Sequence, residues 1–254
     1  MNNQPTLVMI PCFSGAAWQL NQLTELKNYN MRTFCLPNDI NKIEELADFI
    51  MDQVIDLDNY VLVGDSYGAI AAIAVAIRQP KGLTGLVISG GFAKSPITSP
   101  LLKFLSMLAP FFSGPFYRQL TLRFHSAQLA SSFDKEGEIP WSTNLSRDLF
   151  IKSTPHKAYI NRIQSIEEIN YISLLGNILV PTLILTPDED KLIGEEASKT
   201  LLKNIKNSEE VIIKRTGHMF RFSHPLKYSL EIKKFLKKIK CKYLKESPSK
   251  GFDT

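Results

Sequence analysis

The sequence predicts an α/β protein with a mostly parallel sheet of about six strands, flanked by helices and carrying a helical insert after the strand at 84–90. Three observations carry this. Short β-branched runs alternate with segments whose apolar residues recur at three- and four-residue intervals, the pattern of strands and covering helices in sequence. The runs are continuously apolar rather than alternating, as strands buried on both faces require. From about Ser95 to Leu175 the alternation stops, and helical patterning with Phe-, Leu- and Pro-rich loops replaces it.

In chain order, the strand runs are Thr6–Ile10, Met31–Leu36, Asn59–Gly64, Thr84–Gly90, Pro181–Thr186 and Glu210–Lys214. Over 41–57, Ile43, Leu46, Ile50, Val54 and Leu57 fall on one helical face. Tyr67–Arg78, Gly194–Asn204 and Pro225–Leu244 also suit helices. The stretch SPLLKFLSMLAPFFSGPFYRQL lies in a connection too long for an ordinary loop, so a small helical subdomain is expected. The expected organisation is a core of 1–94 and 176–245, a helical lid over 95–175 and a flexible tail over 246–254.

At 254 residues, 44% hydrophobic and 22% charged, the chain can bury a full core and matches neither a disordered nor a membrane composition. No apolar run approaches the roughly 20 residues of a spanning helix. The start, MNNQPTLVMI, lacks the basic region and long apolar stretch of a secretory signal. Cys12, Cys35 and Cys241 show no paired or metal-ligating spacing, so neither a disulfide nor a metal is expected and a reducing cytoplasm is the default. The net charge of +5 gathers at the end, in KYSLEIKKFLKKIKCKYLKESPSK, which reads as the solvated face of a last helix with a frayed tail, or else as a docking site for an acidic partner or an anionic membrane. Nothing matches a nucleic-acid-binding motif.

Gly64-Asp65-Ser66-Tyr67-Gly68 fits G-x-S-x-G between a strand and a helix. Such a turn holds a serine in a strained conformation with its hydroxyl at the carboxyl edge of the sheet. A serine hydroxyl needs a base, and the base needs an orienting carboxylate. Of the four histidines, His125 and His156 lie in the insert and suit surface or capping roles, while His224 precedes Pro225 and suits a helix entry. His218, just past the last strand, shares the edge with Ser66 and is the expected base. After Pro181–Thr186 come Asp188, Glu189 and Asp190, between serine and histidine in chain order.

These segments, from TLVMIPCFSGAAW through GDSYG and PTLILTPDED to TGHMF, resemble the α/β-hydrolase superfamily over nearly the whole chain. In the family's strand–G-x-x-D turn Pro187 takes the glycine position, which selects Asp190 as the acid. The resemblance implies an oxyanion hole made by the backbone N–H groups of Phe13 and Tyr67, and a lid at the position of the insert. Two departures stand out: Pro11-Cys12 replaces the family's His-Gly, and only about five residues precede the first strand, so the usual antiparallel hairpin is not expected. Cys12 reads as a small packed residue, since no cation adjoins it in sequence.

The implied activity is a serine hydrolase that cleaves a carboxylic ester or thioester through an acyl-enzyme, with no cofactor. The apolar lid suits a modest acyl chain. Its basic residues Lys103, Arg118, Arg123, Arg147, Lys152, Lys157 and Arg162 suggest an acidic acyl carrier protein as a partner, as in the pimeloyl methyl esterases, which are similar in size and lid. A triad-bearing lyase or C–C bond hydrolase of the same fold is the alternative. A non-catalytic binding protein is a third reading, motivated by Pro11-Cys12.

Overall fold

A computed structural model describes residues 4–96, 123, 125–127, 129, 132–167 and 169–246. The strands are β1 (Thr6–Ile10), β2 (Met31–Thr33), β3 (Tyr60–Asp65), β4 (Leu83–Ser89), β5 (Thr182–Pro187) and β6 (Ser208–Ile213). They form one sheet in the order β2-β1-β3-β4-β5-β6, with every pairing parallel. The described helices are α1 (Ile43–Asp52), α2 (Tyr67–Ile77), α3 (Thr143–Ser153), α4 (His156–Glu167), α5 (Glu195–Asn204), α6 (Phe220–Ser223) and α7 (Pro225–Glu246).

The continuous apolar runs are explained by the two packed faces. Leu7, Met9, Val61, Val63, Val87, Leu183 and Leu185 meet Ile232, Phe235, Leu236 and Ile239 of α7 on one side. Val8, Ile10, Leu62, Leu86, Ile88 and Ile184 meet α1 and α2 on the other. Successive side chains point to opposite faces, so a strand covered twice has no polar position to spare. Helix α2 is buried from Tyr67 to Ala76, and its alanines let it lie close on the sheet.

The edges depart from the expected two-sided burial. All three residues of β2 are half-buried, and β6 is so over most of its length. The β2 run also ends at Thr33 rather than Leu36. An edge strand has a partner on one side only, and here the chain is drawn away: Thr33 Oγ1 accepts from the Trp18 amide at 2.8 Å, and the Leu36 amide donates to the Gly15 carbonyl at 2.9 Å. Helix α1 stops at Asp52, and Val54 and Leu57 follow on tight turns instead.

Residues 97–122 of the expected lid lie outside the described residues. The ends of the insert meet in an antiparallel bridge between Lys94 and Asn170, flanked by Ser95 N–H to Ile169 O at 3.0 Å and Tyr171 N–H to Ala93 O at 2.7 Å. Among the described residues no helix is long and apolar enough to cross a membrane. Strand order reverses between β1 and β3, which opens a crevice at their carboxyl ends where ligands bind in such sheets.

Candidate active site

The crevice is filled by two tight turns. After β3, Ser66 adopts φ 53° and ψ −112°, a region costing about 1–3 kcal/mol for a residue with a side chain. Its amide donates to the Ser89 carbonyl at 2.8 Å, and the first turn of α2 then presses on the end of β1. A Cβ on Gly68 would lie 2.4 Å from the Pro11 carbonyl oxygen and 2.6 Å from that of Ile10, so only glycine permits this approach. The strain is therefore held by strand pairing on one side and helix packing on the other.

His218 reaches this turn from the loop after β6. Its Nε2 lies 2.8 Å from Ser66 Oγ and its Nδ1 2.7 Å from Asp190 Oδ2. Asp190 Oδ1 accepts from the Leu192 and Ile193 amides at 2.9 and 3.1 Å. Burial pushes the Asp190 carboxyl up, but the His218 charge, its hydrogen bond and the two amides outweigh that and leave it lowered. An ionised carboxylate accepts only, so Nδ1–H donates to it and Nε2 is left to accept the Ser66 proton. Asp188 faces elsewhere, taking the Thr216 amide at 3.0 Å, and Glu189 is exposed.

For His218, burial favours the neutral ring, yet the charge and hydrogen bond of Asp190, with Asp65 and Asp134 behind, raise its pKa above the usual 6.5. With His218 as the expected base, which works only when deprotonated, rate should fall as pH drops through this raised value. We expect the acid limb of kcat/KM to lie above pH 6.5. A pH–rate profile on a neutral ester checks this, and a midpoint below the free imidazole value would contradict it.

Behind the serine lies an ion pair that the sequence reading missed. Arg221 of α6 donates from Nε to Asp65 Oδ2 at 2.7 Å, both side chains being buried, and Ser89 Oγ donates to Asp65 Oδ1 at 3.2 Å. The guanidinium is sandwiched 3.9 Å from the Trp18 ring centroid and 3.8 Å from that of Phe222. Its Nη2 lies 3.9 Å from Cys12 Sγ, so the cation that Cys12 lacks in sequence is supplied in space. Asp65→Ala would strand this cation and should cost about 3–5 kcal/mol. Thermal unfolding checks it, with a drop of roughly 8–15 °C expected for a chain of this size.

A cavity opens in front of Ser66 and His218, walled by Phe13, His125, Leu129, Phe150, Met219 and Phe222. His125 is not the surface or capping residue that its sequence position suggests. It stacks on Phe150 at 5.2 Å and lies 5.0 Å from Phe13. Burial, then the His218 charge, lower its pKa to about 4, so it stays neutral. Arg162 is a second correction: it is 2% exposed and cannot meet a docking partner. Its Nη1 donates instead to the Phe13 carbonyl at 2.8 Å. Arg162 is buried and His125 half-buried by contacts far away in sequence, which periodicity does not reveal. Of the two residues expected to donate to an oxyanion, Phe13 follows β1 and Tyr67 opens α2, with ring centroids 5.7 Å apart in an edge-on contact. His224 is buried at the entry to α7, where its carbonyl accepts the Tyr228 amide at 3.0 Å. Among the described residues no group of three His, Cys, Asp or Glu is placed to hold a metal ion.

The sequence profile of the alpha/beta hydrolase fold matches residues 14–225. A proline iminopeptidase of Saccharolobus solfataricus is 27% identical over 225 residues, covering 81% of this chain and 70% of that protein. A 2-hydroxy-6-oxononadienedioate/2-hydroxy-6-oxononatrienedioate hydrolase of Cupriavidus pinatubonensis is 22% identical over 191 residues, covering 74% and 65%. Among solved structures, a thermophilic esterase from Thermogutta terrifontis superposes with a TM-score of 0.77 at 20% identity, over 93% of this chain and 90% of that one.

Proposed function

Because the chain belongs to the alpha/beta hydrolase family, we propose that it is a serine hydrolase that cleaves a carboxylic ester or thioester through an acyl-enzyme. The observation that supports this reading is the hydrogen-bonded series Ser66 Oγ, His218 and Asp190, at 2.8 and 2.7 Å, on a serine held at φ 53°. Ser66 Oγ attacks the acyl carbon while its proton passes to His218 Nε2. The carbonyl oxygen becomes an oxyanion, taken up by the Phe13 and Tyr67 N–H groups, each worth roughly 100–1,000-fold in rate. His218 then protonates the leaving group, and a water deprotonated by the same imidazole releases the acid. None of these steps calls on a metal or organic cofactor.

The walls of the cavity favour an uncharged acyl group. The one lining carboxylate among the described residues, Asp65, is already engaged by Arg221. A doubly anionic substrate, as the dienedioate name of the C–C hydrolase relatives denotes, needs a cation, and no lysine or arginine is among the described lining residues. The insert over 95–175 acts as the lid. Three unpaired cysteines, Cys12 buried and Cys35 and Cys241 exposed, suit a reducing cytoplasm.

An acyl carrier remains a partner to test, with Arg123, Lys152 and Lys157 exposed on the insert and Lys103 and Arg118 outside the described residues. Equal efficiency on free and carrier-bound acyl esters would remove it. The primary test is a fluorophosphonate probe followed by peptide mass spectrometry. Adduct on Ser66 of the folded protein supports a working nucleophile; no adduct overturns the reading. A series of p-nitrophenyl esters of increasing chain length then locates the acyl preference.

A further inference from the structure

The loop after β1 carries Pro11-Cys12 where the family resemblance leads one to expect His-Gly, so something else must fix the Phe13 amide. Residues Cys12 to Gly15 form a turn closed by the Gly15 amide on the Cys12 carbonyl at 2.8 Å. That bond sets the peptide plane containing the Phe13 N–H, because a trans peptide points its N–H opposite its carbonyl. The other carbonyls of the turn are all engaged. Phe13 O accepts from Arg162 Nη1 at 2.8 Å, Ser14 O from Thr154 Oγ1 at 3.2 Å, and Gly15 O from the Leu36 amide at 2.9 Å.

Two of these four grips come from the insert. Arg162 lies on α4 and Thr154 just before it, more than 130 positions along the chain, at separations of 149 and 140. Arg162 also reaches the Pro37 carbonyl at 3.4 Å and Asn38 Oδ1 at 3.3 Å, while Asn161 Nδ2 donates to the Asn38 carbonyl at 2.9 Å. Among the described residues its hydrogen-bond partners are carbonyls and one amide oxygen, never a carboxylate. A buried cation without an anion is costly, and a methionine of similar length would fill the space more cheaply. The guanidinium is used for its fork of donors. Gly15 completes the fit: at φ 71°, a Cβ there would lie 2.2 Å from Arg162 Nη2. The Phe13 ring is gripped too, by Phe150 at 6.1 Å and Tyr159 at 5.4 Å, both from the insert.

We infer that Arg162, with Thr154, is a positioning residue that lets the insert set the oxyanion-binding turn, so that the Phe13 amide is aligned only while α4 is seated on it. This rests on Phe13 acting as proposed above. The consequence is that α4 contributes to the rate of the chemical step as well as to substrate fit, through a residue that touches no substrate.

The test compares Arg162→Ala and Thr154→Val with the wild type on p-nitrophenyl butyrate, with kcat normalised to the sites titrated by the fluorophosphonate. For Arg162→Ala we expect kcat to fall about 10–100-fold, since misplacement by about 1 Å can cost that much. KM should stay within about twofold, the acid limb should hold its wild-type position, and added guanidinium ion should recover part of the rate. Thr154→Val should lose kcat severalfold in the same pattern, and it decides the matter if Arg162→Ala does not fold. Wild-type kcat per titrated site in both variants, or a loss confined to KM and melting temperature without guanidinium recovery, would overturn the inference. A wild type that turns over and labels at Ser66 beside such variants isolates this failure. A wild type that does neither overturns the proposed hydrolase and this inference together.

Discussion

Ser66→Ala should abolish turnover, lowering kcat by roughly a million-fold, the scale seen when the serine of such a constellation is removed. The size follows from the loss of the acyl-enzyme route itself: His218 keeps its place against Asp190, but no hydroxyl remains at 2.8 Å to be activated. Residual hydrolysis would come from water attacking a substrate bound in the oxyanion site. Ser66→Gly should be equally inactive yet more stable than the wild type, by up to about 1–3 kcal/mol, because glycine adopts φ 53° without strain. Single-turnover kinetics and thermal melts on the two variants check both statements. A Ser66→Ala enzyme retaining even a hundredth of the rate would place the nucleophile elsewhere.

Asp190→Asn should cost about 10,000-fold in kcat with little change in fold. The asparagine fills the same space, and its oxygen can keep either His218 or the Leu192 and Ile193 amides, but its NH2 must then face the other partner. Turned towards His218, it favours the tautomer with the proton on Nε2, where it blocks acceptance from serine. Loss of the carboxylate also removes the main charge that raises the His218 pKa, leaving burial to lower it. The residual activity should therefore show its acid limb at lower pH than the wild type. Asp188→Asn is the control, since Asp188 holds the Thr216 amide and not the imidazole. Equal losses in the two variants would contradict the assignment.

How far the sequence reached can be judged from particular residues. Strand cores were legible because two-sided burial leaves a run such as Thr6–Ile10 no polar position, and the six strands and their order of appearance follow. The edges were less legible, because the end of β2 is set by what Trp18 and Gly15 do to Thr33 and Leu36, which lies outside the local pattern. The elbow was legible for a similar local reason: glycines on both sides of Ser66 and alanines after it speak for close backbone approach. Choosing Asp190 over Asp188 needed the family's turn pattern, for both follow the same strand and only their distant partners, the His218 ring and the Thr216 amide, tell them apart.

Arg162, Arg221 and His125 were misread or missed for one physical reason. A long polar side chain is normally solvated, and burial becomes favourable only when distant groups supply partners: the Phe13 carbonyl for Arg162, Asp65 and two aromatic faces for Arg221, a stacked Phe150 for His125. Nothing near these residues in sequence announces those partners. In the lysine-rich end, Lys233, Lys234 and Lys238 of α7 pair with Glu25, Glu231 and Glu209.

The bridge between Lys94 and Asn170 has a consequence for how such a chain diversifies. A segment whose two ends meet at one point can be lengthened, shortened or exchanged without shifting any strand of the sheet, so substrate range is open to change by splicing at that junction. The grip of Arg162 and Thr154 on the turn after β1 limits that freedom. A chimera that takes a foreign segment between these ends should retain its strands and its Ser66–His218–Asp190 geometry. To work at speed, it must also bring its own donors for the Phe13 and Ser14 carbonyls, or a turn that stands without them.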